Sequence, residues 1–174
     1  MRRLLISVAL AVVVATPALA HVTLEAPTAA IGADYKAVFR VPHGCSGAAT
    51  TALRVAVPEG FIAVKPMPKA GWTIAEKSGD YQAPHSLYGT PIKSGVVEVD
   101  WSGGTLPDAY YDEFVLFGQF AGDLKAGARI YFPVVQECGG KAERWIMIPE
   151  TGQSSETLKT PAPSVLLVPP APGG

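Results

Sequence analysis

Apolar residues recur along this chain in short runs with a two-residue alternation, the spacing of strands with one buried face. The runs are "YKAVFRV" (35–41), "TALRVAV" (51–57), "FIAVKP" (61–66), "GVVEVDW" (95–101), "DEFVLFGQF" (112–120), "ARIYFPVV" (128–135) and "RWIMI" (144–148), all rich in branched and aromatic side chains. Turn-forming stretches such as "PHGCSG", "PEG", "SGGTLPD", "AGDLKAG" and "ECGG" separate them. No long stretch carries a capped 3.6-residue apolar period, so the pattern predicts an all-β chain, an antiparallel β-sandwich of seven or more strands. Residues 76–95, with little apolar content beyond tyrosines, read as a surface loop. From Thr151 the chain turns to Gln, Ser, Thr, Pro and Ala, which predicts a flexible Pro-rich tail over 151–174. No internal repeat of solenoid or propeller type is present.

The first twenty residues break this pattern. Arg2 and Arg3, the apolar stretch Leu4–Val14 and the small residues Ala18-Leu19-Ala20 have the layout of a cleaved signal peptide, with His21 becoming residue one. A membrane-spanning helix needs about 20 apolar residues, and neither this run nor the C-terminal "SVLLVPP" reaches that length. The expected mature chain is exported, periplasmic or extracellular, with one domain over 21–150. Without Arg2 and Arg3 it carries 12 basic and 15 acidic residues in no large block, which argues against a nucleic-acid partner. Its two cysteines, Cys45 and Cys138, read as one disulfide in an oxidising compartment. The long loop it closes is worth up to about 4.7 kcal/mol by chain entropy. The pair lacks the close spacing of a zinc or iron–sulfur site.

An N-terminal histidine has a chemistry other histidines lack. The free α-amine and the ring Nδ1 of one residue can chelate one metal ion, and nitrogen donors completed by carboxylate or water suit copper(II). The amine, with an ordinary pKa of about 7.7–8.0, must lose its proton to bind, so affinity weakens as pH falls.

Several ordered blocks carry a wider likeness: "HVTLEAP" from His21, "FRVPHGCSGAATTALRVAVPEG", "PMPKAGWTI", "VDWSGGTLPDAYYDEFVLFGQF", and "FPVVQECGG" followed by "RWIMI". Together they resemble the YcnI-type family of exported copper-binding domains. The resemblance implies an immunoglobulin- or cupredoxin-like sandwich that binds one copper(II) per chain. The metal would be held by the N-terminal histidine, a monohistidine brace, with a glutamate and a nearby tryptophan completing the site. It further implies a role in extracytoplasmic copper homeostasis, exchanging the ion with copper chaperones or a copper transporter, and no catalysis. Carried onto this chain, the brace residue is His21, the carboxylate Glu113 in "YYDEFVLF", and the tryptophan Trp145. Asp112 and Glu25 are the alternative carboxylates; Trp72 and Trp101 are the alternative indoles. Strand parity puts Glu113 on the face of Val115 and Phe117, awkward for an unpaired charge if that face is buried.

Other residues support weaker readings. His43, in a turn beside Cys45, and His85, in the long polar segment, are expected to hydrogen-bond rather than ligate, and Met67 to pack. A copper-dependent polysaccharide monooxygenase would need a second histidine, which only His43 or His85 could supply. A structural or adhesive sandwich would leave His21 incidental. No "GxSxG" elbow, "HExxH" helix or P-loop is present.

Overall fold

The computed structural model describes residues 21–170, so the expected signal peptide lies outside the described residues. Among the described residues twelve strands run in chain order: β1 (Thr23–Leu24), β2 (Thr28–Ala30), β3 (Asp34–Val41), β4 (Thr50–Ala56), β5 (Phe61–Pro66), β6 (Thr73–Leu87), β7 (Thr90–Leu106), β8 (Asp112–Phe120), β9 (Arg129–Tyr131), β10 (Val134–Cys138), β11 (Lys141–Trp145) and β12 (Ser164–Val168). The described residues contain one 3₁₀ turn, Ser155–Thr157, and no α-helix, hence no helix long and apolar enough to cross a membrane.

Two main sheets face each other, one ordered β1-β3-β8-β5 and the other β11-β10-β4-β7-β6, and a small third sheet is ordered β2-β12-β9. Alternation decides what lies between them. From β3 come Tyr35, Ala37, Phe39 and Val41, from β8 Phe114, Leu116 and Phe120, from β4 Leu53 and Val55, and from β7 Val99 and Trp101, all buried. Phe61 stands at the aromatic centre, 4.9 Å from Phe120 and 5.4 Å from Phe132 between ring centroids. The predicted sandwich and the Cys45–Cys138 disulfide are both present, the latter with its Cα atoms 5.7 Å apart.

Three expectations need correction. Residues 76–95 are not a loop: β6 and β7 pair antiparallel through this segment, down to Leu87↔Thr90. Their two-residue turn, Tyr88-Gly89, has positive φ at both positions, 49° and 83°, the geometry that matches strand twist in a tight hairpin. Most of this ladder's side chains are exposed or half-exposed, which removes the apolar alternation that marks the other strands. The second correction concerns the tail, since β12 pairs parallel with β2 and antiparallel with β9, burying Val165 and Leu167. The apolar run "VLLV" outweighs the polar residues around it, and the domain extends past residue 150. The third is the expected strand over 128–135, which divides between two sheets at Phe132-Pro133, where proline lacks the N–H a continuous ladder requires.

Candidate metal centre

Val22 is buried in the core and β1 pairs with the end of β3, Thr23 opposite Arg40, which fixes the entry of His21 into the fold. Its ring lies 5.3 Å from that of Trp145, tilted by 55°. Trp145 ends β11 opposite Val134 and is 6% exposed. Its indole N–H donates to Gln136 Oε1 at 3.1 Å. Gln136 Nε2 donates in turn to the His43 carbonyl and to Thr50 Oγ1, each at 2.7 Å. Thr50 Oγ1 also lies 3.7 Å from Cys138 Sγ.

Among the described residues His21 Nε2 is buried with no hydrogen-bond partner. His21 borders an open cleft of about 230 Å³ whose other walls include Glu156, Ser155, Pro161 and Ser164. The C-terminal segment reaches this position because Met147 N–H donates to the Thr160 carbonyl and Ala162 N–H to the Met147 carbonyl, clipping it to the chain just after Trp145.

The structure thus brings His21 and Trp145 together but does not add Glu113, which does not border the cleft. Glu113 lies on the outer face of β8, where Phe117 is 47% exposed, so the charge needs no buried partner. It accepts a hydrogen bond from Tyr111 Oη and lies 3.7 Å from Arg40 Nε. The alternative carboxylates are engaged too, Asp112 with Lys69 at 2.7 Å and Glu25 with Arg40 at 2.9 Å. Trp101 is fully buried, its N–H 3.4 Å from the Met67 carbonyl, and Trp72 packs edge-on against Phe114, so both are packing residues. Neither His43 nor His85 borders the cleft. His43 Nδ1 contacts the Gly44 carbonyl. The Met67 side chain is half-exposed.

Two residues escaped the sequence reading. Glu156 lies in the segment whose composition predicts a tail, and Gln136, beside Glu137, is a polar residue on a strand whose buried position only the register reveals. Among the described residues no group of three His, Cys, Asp or Glu is placed to hold a metal.

Residues 21–167 match the family model described as "Domain of unknown function (DUF1775)". The chain belongs to the DUF1775 family. The matched region of this DUF1775 chain begins at His21 and includes β12 up to Leu167, in agreement with the corrected domain extent. It is similar to a solved structure titled as an uncharacterized protein from Nocardia farcinica that reveals an immunoglobulin-like fold. Identity is 28% over 87% of this chain and 99% of that one, with a TM-score of 0.62. None of the curated proteins compared with the chain matches it.

Proposed function

We propose that this DUF1775 protein is an exported copper(II)-binding protein that takes up and passes on one ion per chain, with copper as its cargo. The observation that carries this reading is the packing of His21 on Trp145 at the edge of an open cleft, with Nε2 buried and unpartnered. Burial of Nε2 leaves Nδ1, the ring nitrogen nearer the backbone, as the donor a metal could reach. Cleavage after Ala20 would supply the α-amine as the second nitrogen. Two nitrogens with a carboxylate and water make a donor set that suits copper(II). The family resemblance, the match beginning at His21 and the disulfide of an oxidising compartment support the same reading.

Glu156 borders the cleft whereas Glu113 is occupied by Arg40 and Tyr111, so Glu156 is the carboxylate we assign to the ion. Trp145, with a donor N–H and no good lone pair, walls the site and is not a ligand. Electron paramagnetic resonance of the processed, copper-loaded protein should show two coordinated nitrogens; three would point to the monooxygenase arrangement. Glu156→Gln should weaken copper(II) and change this spectrum, while Glu113→Gln should leave both nearly unchanged. The reverse pattern would return the carboxylate to β8.

A further inference from the structure

We infer that Gln136 is a positioning residue that sets the indole of Trp145 against His21. Only its consequence for the metal rests on the copper reading. Gln136 is 1% exposed, so every polar atom of its amide needs a partner inside the protein. All are provided for: Oε1 accepts from the Trp145 indole N–H, and Nε2 donates to the His43 carbonyl and to Thr50 Oγ1. This set admits one orientation of the amide. An indole N–H can only donate and a carbonyl can only accept, so a flipped amide would oppose donor to donor and acceptor to acceptor.

The anchor of this amide is itself fixed. Cys138, two residues along the same buried face of β10, is bonded to Cys45, which follows His43 by two residues. The carbonyl that receives Gln136 therefore belongs to a turn tied covalently to the strand that presents Gln136. An apolar residue at 136 could fill the volume, as Val134 does on the same face of β10, but would leave the indole N–H and the His43 carbonyl without this partner. What an apolar residue would not do is hold the indole N–H in one direction, and the tilt of that ring determines the surface on which His21 rests.

The test uses metal-free, processed protein and the NMR signals of the His21 ring protons, which the indole ring current displaces. Gln136→Met removes the acceptor for Trp145, whereas Thr50→Val removes a different partner in the same network and leaves that acceptor in place. If Gln136 positions Trp145, its exchange moves the His21 signals toward their positions in an unstructured peptide, and Thr50→Val does not, although both lower thermal stability. Should Gln136→Met fail to fold, Gln136→Asn, which draws the amide back by one methylene, is expected to move the same signals part of the way. Unmoved His21 signals in a folded Gln136→Met or Gln136→Asn protein, or equal movement in Thr50→Val, would overturn the inference. On loading, copper(II) should bind the folded Gln136 variant about fivefold more weakly than the parent, as the loss of one orienting hydrogen bond suggests. Moved signals in a protein whose parent form binds no copper would leave the positioning role standing and remove the copper reading instead.

Discussion

Two imidazoles, His21 half-buried and His85 buried, mark opposite ends of the β1-β3-β8-β5 sheet, and they are treated in opposite ways. His21 lies beyond the row Thr23, Arg40, Glu113, while Glu59 and Asp123, the partners of His85, lie beyond the row Phe61, Phe120. The His85 side chain is 4% exposed, with Nε2 2.9 Å from Glu59 and Nδ1 3.2 Å from Asp123. Both ring nitrogens thus face acceptors, and Tyr81 packs on the ring at 5.4 Å. These contacts tie the β6–β7 hairpin to the ends of the neighbouring loops. His21 has an aromatic wall and a cleft, but its Nε2 meets no acceptor among the described residues. A histidine that serves the fold has its nitrogens satisfied within the fold. His21 is not held in that way, and on the copper reading its other ring nitrogen, Nδ1, is the one left to meet an ion.

The contrast can be broken most directly by exchanging each imidazole. His21→Ala should lower copper(II) affinity at least about a hundredfold, the scale expected on losing a metal ligand rather than an outer partner, with little change in the unfolding midpoint. His85→Ala should retain copper binding but lose about 1–3 kcal/mol, because two partly exposed carboxylates are left facing each other without the ring. Copper titration and urea unfolding of the two variants check both halves. Similar behaviour in the two would erase the distinction.

The two ends also differ in how much of them could be read from the sequence. Strands such as β3 and β8 were legible because one face is buried and the other wet, which leaves alternation in the residues themselves. The Cys45–Cys138 pairing is legible in an even cysteine count in a chain expected to be exported, and the interest of His21 in its position after the expected cleavage site at Ala20. The hairpin that carries His85 was not legible, since a ladder solvated along most of its length keeps no apolar period and its Tyr-Gly turn lacks the usual Asn or Asp. Glu156 was lost with the tail, because composition cannot show that "VLLV" finds a parallel partner in β2. Glu113 illustrates a related point: parity groups it with Val115 and Phe117 but does not say which side of β8 faces water.

Docking of the C-terminal strand supplies the next test. Leu167 is 1% exposed, and Leu167→Ala should cost about 2–5 kcal/mol for the side chain and the cavity it leaves. Because this strand closes the segment that borders the His21 cleft, copper binding should weaken more in this variant than in His85→Ala. A stability loss below about 0.5 kcal/mol, the scale of a surface substitution, would show that the strand does not dock in solution.

A smaller effect is expected at alkaline pH. The Tyr35 hydroxyl donates to the Ala26 carbonyl at 2.6 Å, and burial, assisted by the Glu25 charge, pushes its pKa up to about 12. Burial first, then Glu59, raises that of Tyr81 beside His85, against a lowering by a hydrogen bond from the Ala63 backbone. A phenol whose pKa is higher folded than unfolded contributes in full below pH 10 and loses that contribution as pH rises through the folded value. Unfolding free energy should therefore fall from about pH 10 toward 12, and Tyr35→Phe should flatten the decline more than Tyr81→Phe. An unchanged slope in Tyr35→Phe would remove Tyr35 as its source.

The central claim is that His21 binds copper(II) as the first residue of the processed chain, through its free amine and its ring. The measurement is a copper(II) titration, by calorimetry or by quenching of tryptophan emission, of two proteins that differ by one alanine placed before His21. The chain beginning at His21 should bind one equivalent tightly and quench its emission in proportion to occupancy. The extended chain, with the same fold by circular dichroism, should lose tight binding altogether. Equal affinity in the two proteins would contradict the account.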